Sequence, residues 1–513
     1  MKRRIVSLML CTAMLTSMVT GCGSSSGDEG DGSSDELVTI VMPMATLGDA
    51  PGDLEAVEEE INKITEEEIG VHLVIEPIPF SDLASQQNLM ISSGDQLDLV
   101  LSLWQGSIGS YVESGSVIEL TDLIDEYGQD ILDSAGAALS GGYYQDTLYA
   151  VPNVETQGHS YGFYARKDIV EELGFEFDPN TTYTVEDLEN LFAAYKEAYG
   201  NGYYCIAGTN SNSDFFQHLY GHVDNLGAGS TGYACGGLVD GLDKSDTTVK
   251  NIYATDEYMD YAERMYDWAQ KGYFSSDAAT NTDAGTAQIA SGNYLGQFNN
   301  TEPMTMVQVS SACGTEMTPI TIVDAYSQTG MFQNVLWGIS SNCENPEKAM
   351  QLLNMLYSDA DVLRLLMCGI EGQHYVVTEQ GEEDYQKVID FPEGVDAMNS
   401  SYYITLGVYG DQSLYPVWAP ADLSQYDMRD EFNAVVSDES RQSVALNYAF
   451  DFSDLSTEYS AVSSVVSQYS GAVACGAVDP ATQIPAFVDA LEAAGINDLI
   501  EANQEQLDEF LAK

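Results

Sequence analysis

Residues 37–103 switch back and forth between two periodicities, and that alternation limits the possible folds more than any other feature of the chain. Residues 37–41 (LVTIV) are a short apolar, β-branched run and read as a strand. After Asp53, apolar side chains fall at Leu54, Val57, Ile61 and Ile64 with glutamates between them, the one-sided spacing of an amphipathic helix. Gly70 ends it. Residues 71–75 (VHLVI) read as a second strand stopped by Pro77 and Pro79, residues 81–92 as a second helix closed by Gly94, and residues 97–103 (LDLVLSL) as a third strand. Strand, helix, strand, helix, strand in close succession predicts a mostly parallel sheet with helices on both faces. Ligands of such sheets gather beyond the carboxyl ends of the strands, where Trp104 lies.

The chain has 513 residues, more than one core organises well, so two lobes are expected. Its 81 acidic residues against 17 basic give a net charge of −64. Such a surface repels nucleic acid and anionic lipid. The acids are scattered along the whole sequence, which reads as solvation rather than recognition of a cation. Lys2, Arg3 and Arg4 precede an apolar run, residues 5–19, too short to span a membrane, and the run ends in Val19-Thr20-Gly21-Cys22. Those four residues resemble the lipobox of bacterial lipoproteins, where the signal peptide is cut before the cysteine and the thiol is lipidated. The resemblance implies a signal peptide over residues 1–21, a lipid on Cys22, and an exported protein anchored to the outer face of the bacterial cell membrane. Residues 22–36, rich in Gly, Ser and acids, then read as a flexible tether. The six cysteines beyond Cys22 lie far apart without a C-x-x-C, so no zinc site or dense disulfide framework is indicated. Buried free thiols and one or two bridges both remain open.

Strand-like and helical runs alternate again from about residue 168, and strand-like runs recur at 290–300, 318–323 and 333–340 before a strong helix begins at Pro346. A lobe that is left and later rejoined requires several crossings at one edge, which make a hinge beside a cleft. Residues 148–167 (LYAVPNVETQGHSYGFYARK) read as the first crossing, with Pro152 and Asn153 marking the passage. The stretch also contains Gly158-His159-Ser160-Tyr161-Gly162, a literal G-x-S-x-G. A nucleophile elbow needs a buried strand directly before the serine and a helix directly after it. Residues 163–165 are strand-like instead, so a serine hydrolase is disfavoured and no catalytic residue is assigned. His218 and His222 stand four apart, but a metal site would need a third ligand, and none is assigned. No G-x-x-x-x-G-K-[ST] occurs, and no cofactor is expected.

Aromatic side chains near the predicted cleft carry the better signal. Flat rings stack on the apolar faces of sugars, while carboxylates and amides hydrogen-bond the hydroxyls. Trp104 and Trp337 end or interrupt strand-like runs, and Trp418 lies in a proline-bounded loop, LYPVWAPAD. Glu155, Tyr161 and Tyr164 in the first crossing, Asn299 in the return, and Tyr375 fit the same chemistry. Core packing is the competing role for each of these eight. Trp268, on a helix face with Tyr261 and Met265, reads as core.

Several segments in this order (VTIVMP, YAVPNVETQGHSYGFYARKDIVEELG, VLWGISSNCENPEKAMQLLNMLYSD, LLMCGIEGQHYVV and AAGINDLIEANQEQLDEFL) resemble the extracellular solute-binding lipoproteins of ABC importers. The likeness is to the sugar-type, LipO-like branch with a C-terminal domain of unknown function. It implies an α/β, two-lobed periplasmic-binding-protein fold of type II that closes on a solute and docks on membrane permease subunits. On this reading residues 37–152 begin lobe 1, 153–325 begin lobe 2, 326–376 return to lobe 1, and 377–513 are a helical part completing lobe 2. The expected solute is an oligosaccharide. A peptide or other small solute is the alternative, less favoured because Arg166 is the one arginine in the cleft segments. A lipoprotein that senses or adheres without importing is a further alternative.

Overall fold

The computed structural model describes residues 37–103, 108–208, 214–227 and 231–512. The expected signal peptide, the tether with Cys22, and Trp104 lie outside these. The opening alternation forms as strand β1 (Val38–Thr46), helix α1 (Leu54–Glu68), strand β2 (Val71–Pro79), helix α2 (Leu83–Ser93) and strand β3 (Leu99–Leu103). Helix α1 buries Val57 and Ile61. Helix α2 stops at Gly94, whose φ of 79° is a left-handed conformation that glycine adopts without strain. β1 and β2 pair in parallel from Val38–Val71 to Thr46–Pro79. β2 continues through Pro77 and Pro79, where the sequence predicts a stop. Among the described strands it pairs with β1 alone, and an edge strand tolerates proline's missing donor.

The chain continues through β4 (Val151–Pro152), β5 (His159–Arg166), α3 (Val185–Tyr199), β6 (Tyr204–Ile206), α4 (Asp256–Gln270) and β7 (Tyr294–Asn300). Next come α5 (Thr305–Cys313), β8 (Met317–Tyr326), β9 (Val335–Ile339), α6 (Pro346–Met355) and α7 (Ala360–Cys368). The last part holds β10 (Val376–Gln380), β11 (Lys387–Asp390), β12 (Val417–Trp418), α8 (Ser424–Val436), α9 (Ser456–Ala474), α10 (Pro480–Ala494) and α11 (Ile496–Leu511).

The sheets are mixed, which corrects the expectation of a mostly parallel sheet in each lobe. β9 lies antiparallel between β3 and β4. The other large sheet has the order β8-β5-β7-β6, in which β5 is antiparallel to both neighbours and β6–β7 is the parallel pair. The cause is direction of travel. β5 carries the chain outward from the crossing, whereas β7 and β8 bring it back, ending with Asn300 opposite Tyr161 and Tyr326 opposite His159.

Two large buried clusters define two lobes. One gathers Ile40, Leu73, Leu101, Trp337, Leu353 and Tyr409 among others; the second gathers Phe163, Phe192, Trp268, Phe487 and Leu507 among others. Ile389, Tyr402, Val408 and Tyr409 bury in the first of these, so residues 377–513 do not belong wholly to lobe 2. Lobe 2 collects the chain again from Ala445 onward. Helix α8 lies between the two stretches and touches both sides. The Tyr426 hydroxyl donates to the Tyr415 carbonyl at 2.8 Å, and the Gln425 amide donates to the Met304 carbonyl, between β7 and α5, at 3.4 Å. Cys205, Cys235, Cys313, Cys343, Cys368 and Cys475 are free thiols, all buried except the half-buried Cys343. Among the described residues no helix is long and apolar enough to cross a membrane.

Candidate functional site

Residues 153–158, between β4 and β5, cross from one lobe to the other, and a cavity of about 200 Å³ lies against this crossing. Glu155, Thr156 and His159 line it from the first crossing, Asn300 and Glu302 from the end of β7, Thr305 from the start of α5, and Met331 and Asn334 from the segment that joins β8 to β9. His159 Nδ1 stands 2.5 Å from Glu302 Oε1. Burial works against the imidazolium, yet the bond to the buried Glu302 prevails and raises the pKa of His159. Glu155 has a weaker tie, accepting from the Gln412 amide at 3.4 Å. Burial pushes its carboxyl up to about 7, opposed by the charge of His159 and by that amide.

A pH dependence follows. The unfolded Glu155 carboxyl has a pKa of about 4.3, while the folded one holds its proton to about 7. Between these values the folded chain binds the extra proton, so rising pH costs stability through Glu155. Glu155→Gln is expected to remove that loss, making the stability gap between variant and wild type grow by roughly 2 kcal/mol from pH 5 to pH 8. Urea unfolding at the two pH values reads it; an unchanged gap means Glu155 titrates as an ordinary carboxyl.

A larger cavity, about 660 Å³, adjoins this one, sharing Thr156 and Met304 with it. Its lobe 2 wall is α5, through Val307, Gln308, Ser311 and Ala312. The facing wall is the loop region of residues 403–421 with Tyr403, Tyr415 and Trp418, and α8 closes it with Gln425, Tyr426 and Arg429. Trp418 is half-buried. Its ring packs on Phe391 at 4.5 Å and edge-on to Tyr403 at 5.4 Å. The Tyr415 hydroxyl donates to the Tyr409 carbonyl at 2.6 Å and accepts from the Tyr409 N–H at 3.1 Å, which ties the two ends of the turn together.

The structure thus places two sequence candidates, Trp418 and Glu155, in the walls of the adjoining cavities. Four others are core, not cleft. Trp337 is fully buried, donates from Nε1 to the Val408 carbonyl at 2.6 Å and stacks on Tyr409. Tyr375 is buried in the same lobe. Tyr161 and Tyr164 lie on β5, whose interior is buried on both faces. The Tyr161 hydroxyl donates to Gln328 at 3.0 Å, and that of Tyr164 meets the Thr305 hydroxyl at 3.2 Å. Asn299 is half-buried opposite Gly162, accepts from the Asn300 N–H at 2.9 Å and lines neither cavity; its neighbour Asn300 does. Trp104 is outside the described residues.

The G-x-S-x-G stretch runs from the crossing into β5, with Gly158 before the strand and Ser160 and Gly162 inside it. Ser160 is buried and accepts from the Thr301 hydroxyl at 3.1 Å. Both glycines answer close approach: a Cβ on Gly158 would lie 2.7 Å from the Tyr326 carbonyl oxygen, and one on Gly162 would lie 2.1 Å from that of Ile320. His218 and His222 share no helix; His218 is half-buried, and His222 meets Asp324 at 2.6 Å. No group of three or more metal-ligating side chains occurs among the described residues. Tyr403, Tyr415, Gln308, Gln425 and Arg429 escaped the sequence reading. The one legible signal was on α8, where Gln425 and Arg429 stand four apart.

Two lobes with cavities at their junction are the form of a solute-capturing protein, and comparison with known proteins agrees. The family model described as bacterial extracellular solute-binding protein matches residues 60–369, and the chain belongs to that family. A model of a domain of unknown function matches residues 444–512. A carbohydrate ABC transporter substrate-binding protein of Streptococcus pneumoniae is 24% identical over 509 residues, 96% of this chain and 94% of that protein. The crystal structure of the N-glycan transport solute binding protein NgtS of Streptococcus pneumoniae is similar with a TM-score of 0.76 at 20% identity, covering 93% of this chain and 99% of that one. The substrate binding protein FusA of the same organism, in complex with kestose, is similar with a TM-score of 0.60 at 18% identity over the same shares. The two-lobed binding-protein fold expected from the sequence is therefore the fold of this chain.

Proposed function

We propose that this chain is the solute-capturing component of an ABC importer, anchored through lipid on Cys22 to the outer face of the bacterial cell membrane, and that its solute is an oligosaccharide. The cavity of about 660 Å³ carries the reading. Its volume is that of a small-molecule site, and its walls combine aromatic rings (Tyr403, Tyr415, Trp418) with side-chain amides (Gln308, Gln412, Gln425). Rings stack on sugar faces, and amides serve hydroxyls as donor and acceptor at once. Because α5 and the 403–421 loops face the cavity from different lobes, a ligand touching both favours the closed arrangement, the form that permease subunits would receive. The carbohydrate transport named for the pneumococcal relatives supports the same solute class. The reading is of binding rather than serine hydrolysis, since the Ser160 hydroxyl meets the Thr301 hydroxyl rather than a base.

A thermal-shift screen of oligosaccharides and peptides on the purified chain tests it. A ligand at a hundred times its Kd adds about 2.7 kcal/mol to stability, so at least one oligosaccharide is expected to raise the melting temperature by several degrees. A screen in which peptides alone do so would reject the solute class. Intact-mass measurement of the cell-derived protein reads the lipid on Cys22, and a mature chain without it would reject the anchor.

A further inference from the structure

We propose that the interlobe cavity selects an oligosaccharide bearing a carboxylate, with Arg429 as the group that recognises it; this rests on the cleft being the solute site. The starting observation is one of charge. Acids outnumber bases 81 to 17 in the chain, yet among the described residues no Asp or Glu lines the 660 Å³ cavity, and Arg429 is the one Lys or Arg in its wall.

Helix α8 sets the position of that arginine. Gln425, Tyr426 and Arg429 recur at the spacing of one helix face and together line the cavity. The guanidinium carbon lies 5.7 Å from the centre of the Tyr426 ring. Its terminal nitrogens donate to the carbonyls of Gln412 at 2.7 Å and Ser413 at 3.1 Å. Both acceptors are neutral, and Nε is buried with no partner. Among the described residues no carboxylate stands within the 4.0 Å of an ion pair with Arg429. Asp411 and Asp430 are the acids whose charge it feels most. Asp411 is engaged, accepting from the Ser413 N–H at 2.8 Å and the Ser134 hydroxyl at 2.6 Å, and Asp430 is exposed.

A guanidinium has five N–H bonds. The carbonyls take two, leaving one on each terminal nitrogen besides Nε. Burial works against the charge and lowers the arginine's pKa. A half-buried cation with neutral partners, at the wall of a cavity with no acid among its described residues, gains most from an anionic ligand group that meets its planar fork. Gln308 and Ser311 on α5 face the same cavity from the other lobe and suit the ligand's hydroxyls. The acids of the cleft are kept apart in the smaller pocket, where Glu302 is paired with His159 and Glu155 lies beside them. The carboxylate end of the ligand is therefore expected on the Arg429 side, away from the crossing.

The test uses uronate-containing oligosaccharides of three to five rings, each also prepared as its carboxyl-reduced, neutral twin, with calorimetry on the full-length chain. At least one acid is expected to bind ten times or more tightly than its twin, with the advantage shrinking as salt is raised. Arg429→Gln should erase the advantage while leaving affinity for the neutral twin within about threefold; Arg429→Lys should retain part of it. A purely structural arginine would weaken both twins together, and that result rejects the proposal. So does binding of neutral members with no acid ahead of its twin, which leaves the oligosaccharide reading standing. If neutral oligosaccharides and acids alike fail to bind, both fall.

Discussion

Trp337→Ala is expected to cost the fold about 4 kcal/mol, read as a large drop in the urea midpoint at unchanged slope. The indole is fully buried in a strand that pairs on both sides, with β3 and with β4. Truncation would open a cavity at the centre of lobe 1 and remove the ring stacked on Tyr409 at 5.6 Å. It would also leave the Val408 carbonyl without the indole N–H that now reaches it at 2.6 Å. Trp337→Phe fills most of the space and loses the donor, so a loss of about 1–2 kcal/mol is expected there. A cost below about 1 kcal/mol for the alanine variant would mean that Trp337 does not hold the core as described.

Trp418→Ala is expected to do the opposite, weakening capture of the solute about thirtyfold, or about 2 kcal/mol, with little change in stability. The ring is half-buried, rests on Phe391 and Tyr403, and faces the larger cavity. Those neighbours give it a fixed orientation before any ligand arrives, which lowers the entropic cost of binding. Calorimetry with an oligosaccharide found by the screen, beside urea unfolding of the same variant, separates binding from folding. Unchanged affinity in a folded Trp418→Ala protein would remove this residue from the site.

These two tryptophans also show what the sequence disclosed. Both stand in apolar surroundings, VLWGI and PVWAP, yet one is core and the other lines a cavity. A continuous apolar run reads equally as a buried strand or as an exposed platform, and the difference lies in partners far along the chain: Val408 and Tyr409 for Trp337, Phe391 and Tyr403 for Trp418. The alternation over residues 37–103 was legible because each helix shows its apolar stripe within its own length, as Leu54, Val57, Ile61 and Ile64 do. Strand β5 was misread for a related reason. Burial on both faces erases the two-residue alternation, so Tyr161 and Tyr164 looked free to enter a cleft. The loops that carry Tyr403 and Tyr415 have no period at all, and nothing local in them announces a cavity wall.

The division of each core between distant segments has a consequence in time. Phe163 and Phe192 begin the core of lobe 2, but Val462, Phe487, Leu491, Leu499 and Leu507 complete it. During synthesis the earlier strands must wait, with apolar surface uncovered, until residues 462–507 have emerged. Contacts so far apart in sequence form slowly, and incomplete apolar faces are where growing chains stick to one another. Mutual repulsion between strongly anionic neighbours acts throughout that interval. A chain broken off shortly after residue 444 would keep most of the negative charge and lose the helices that finish the lobe, leaving its second core permanently open.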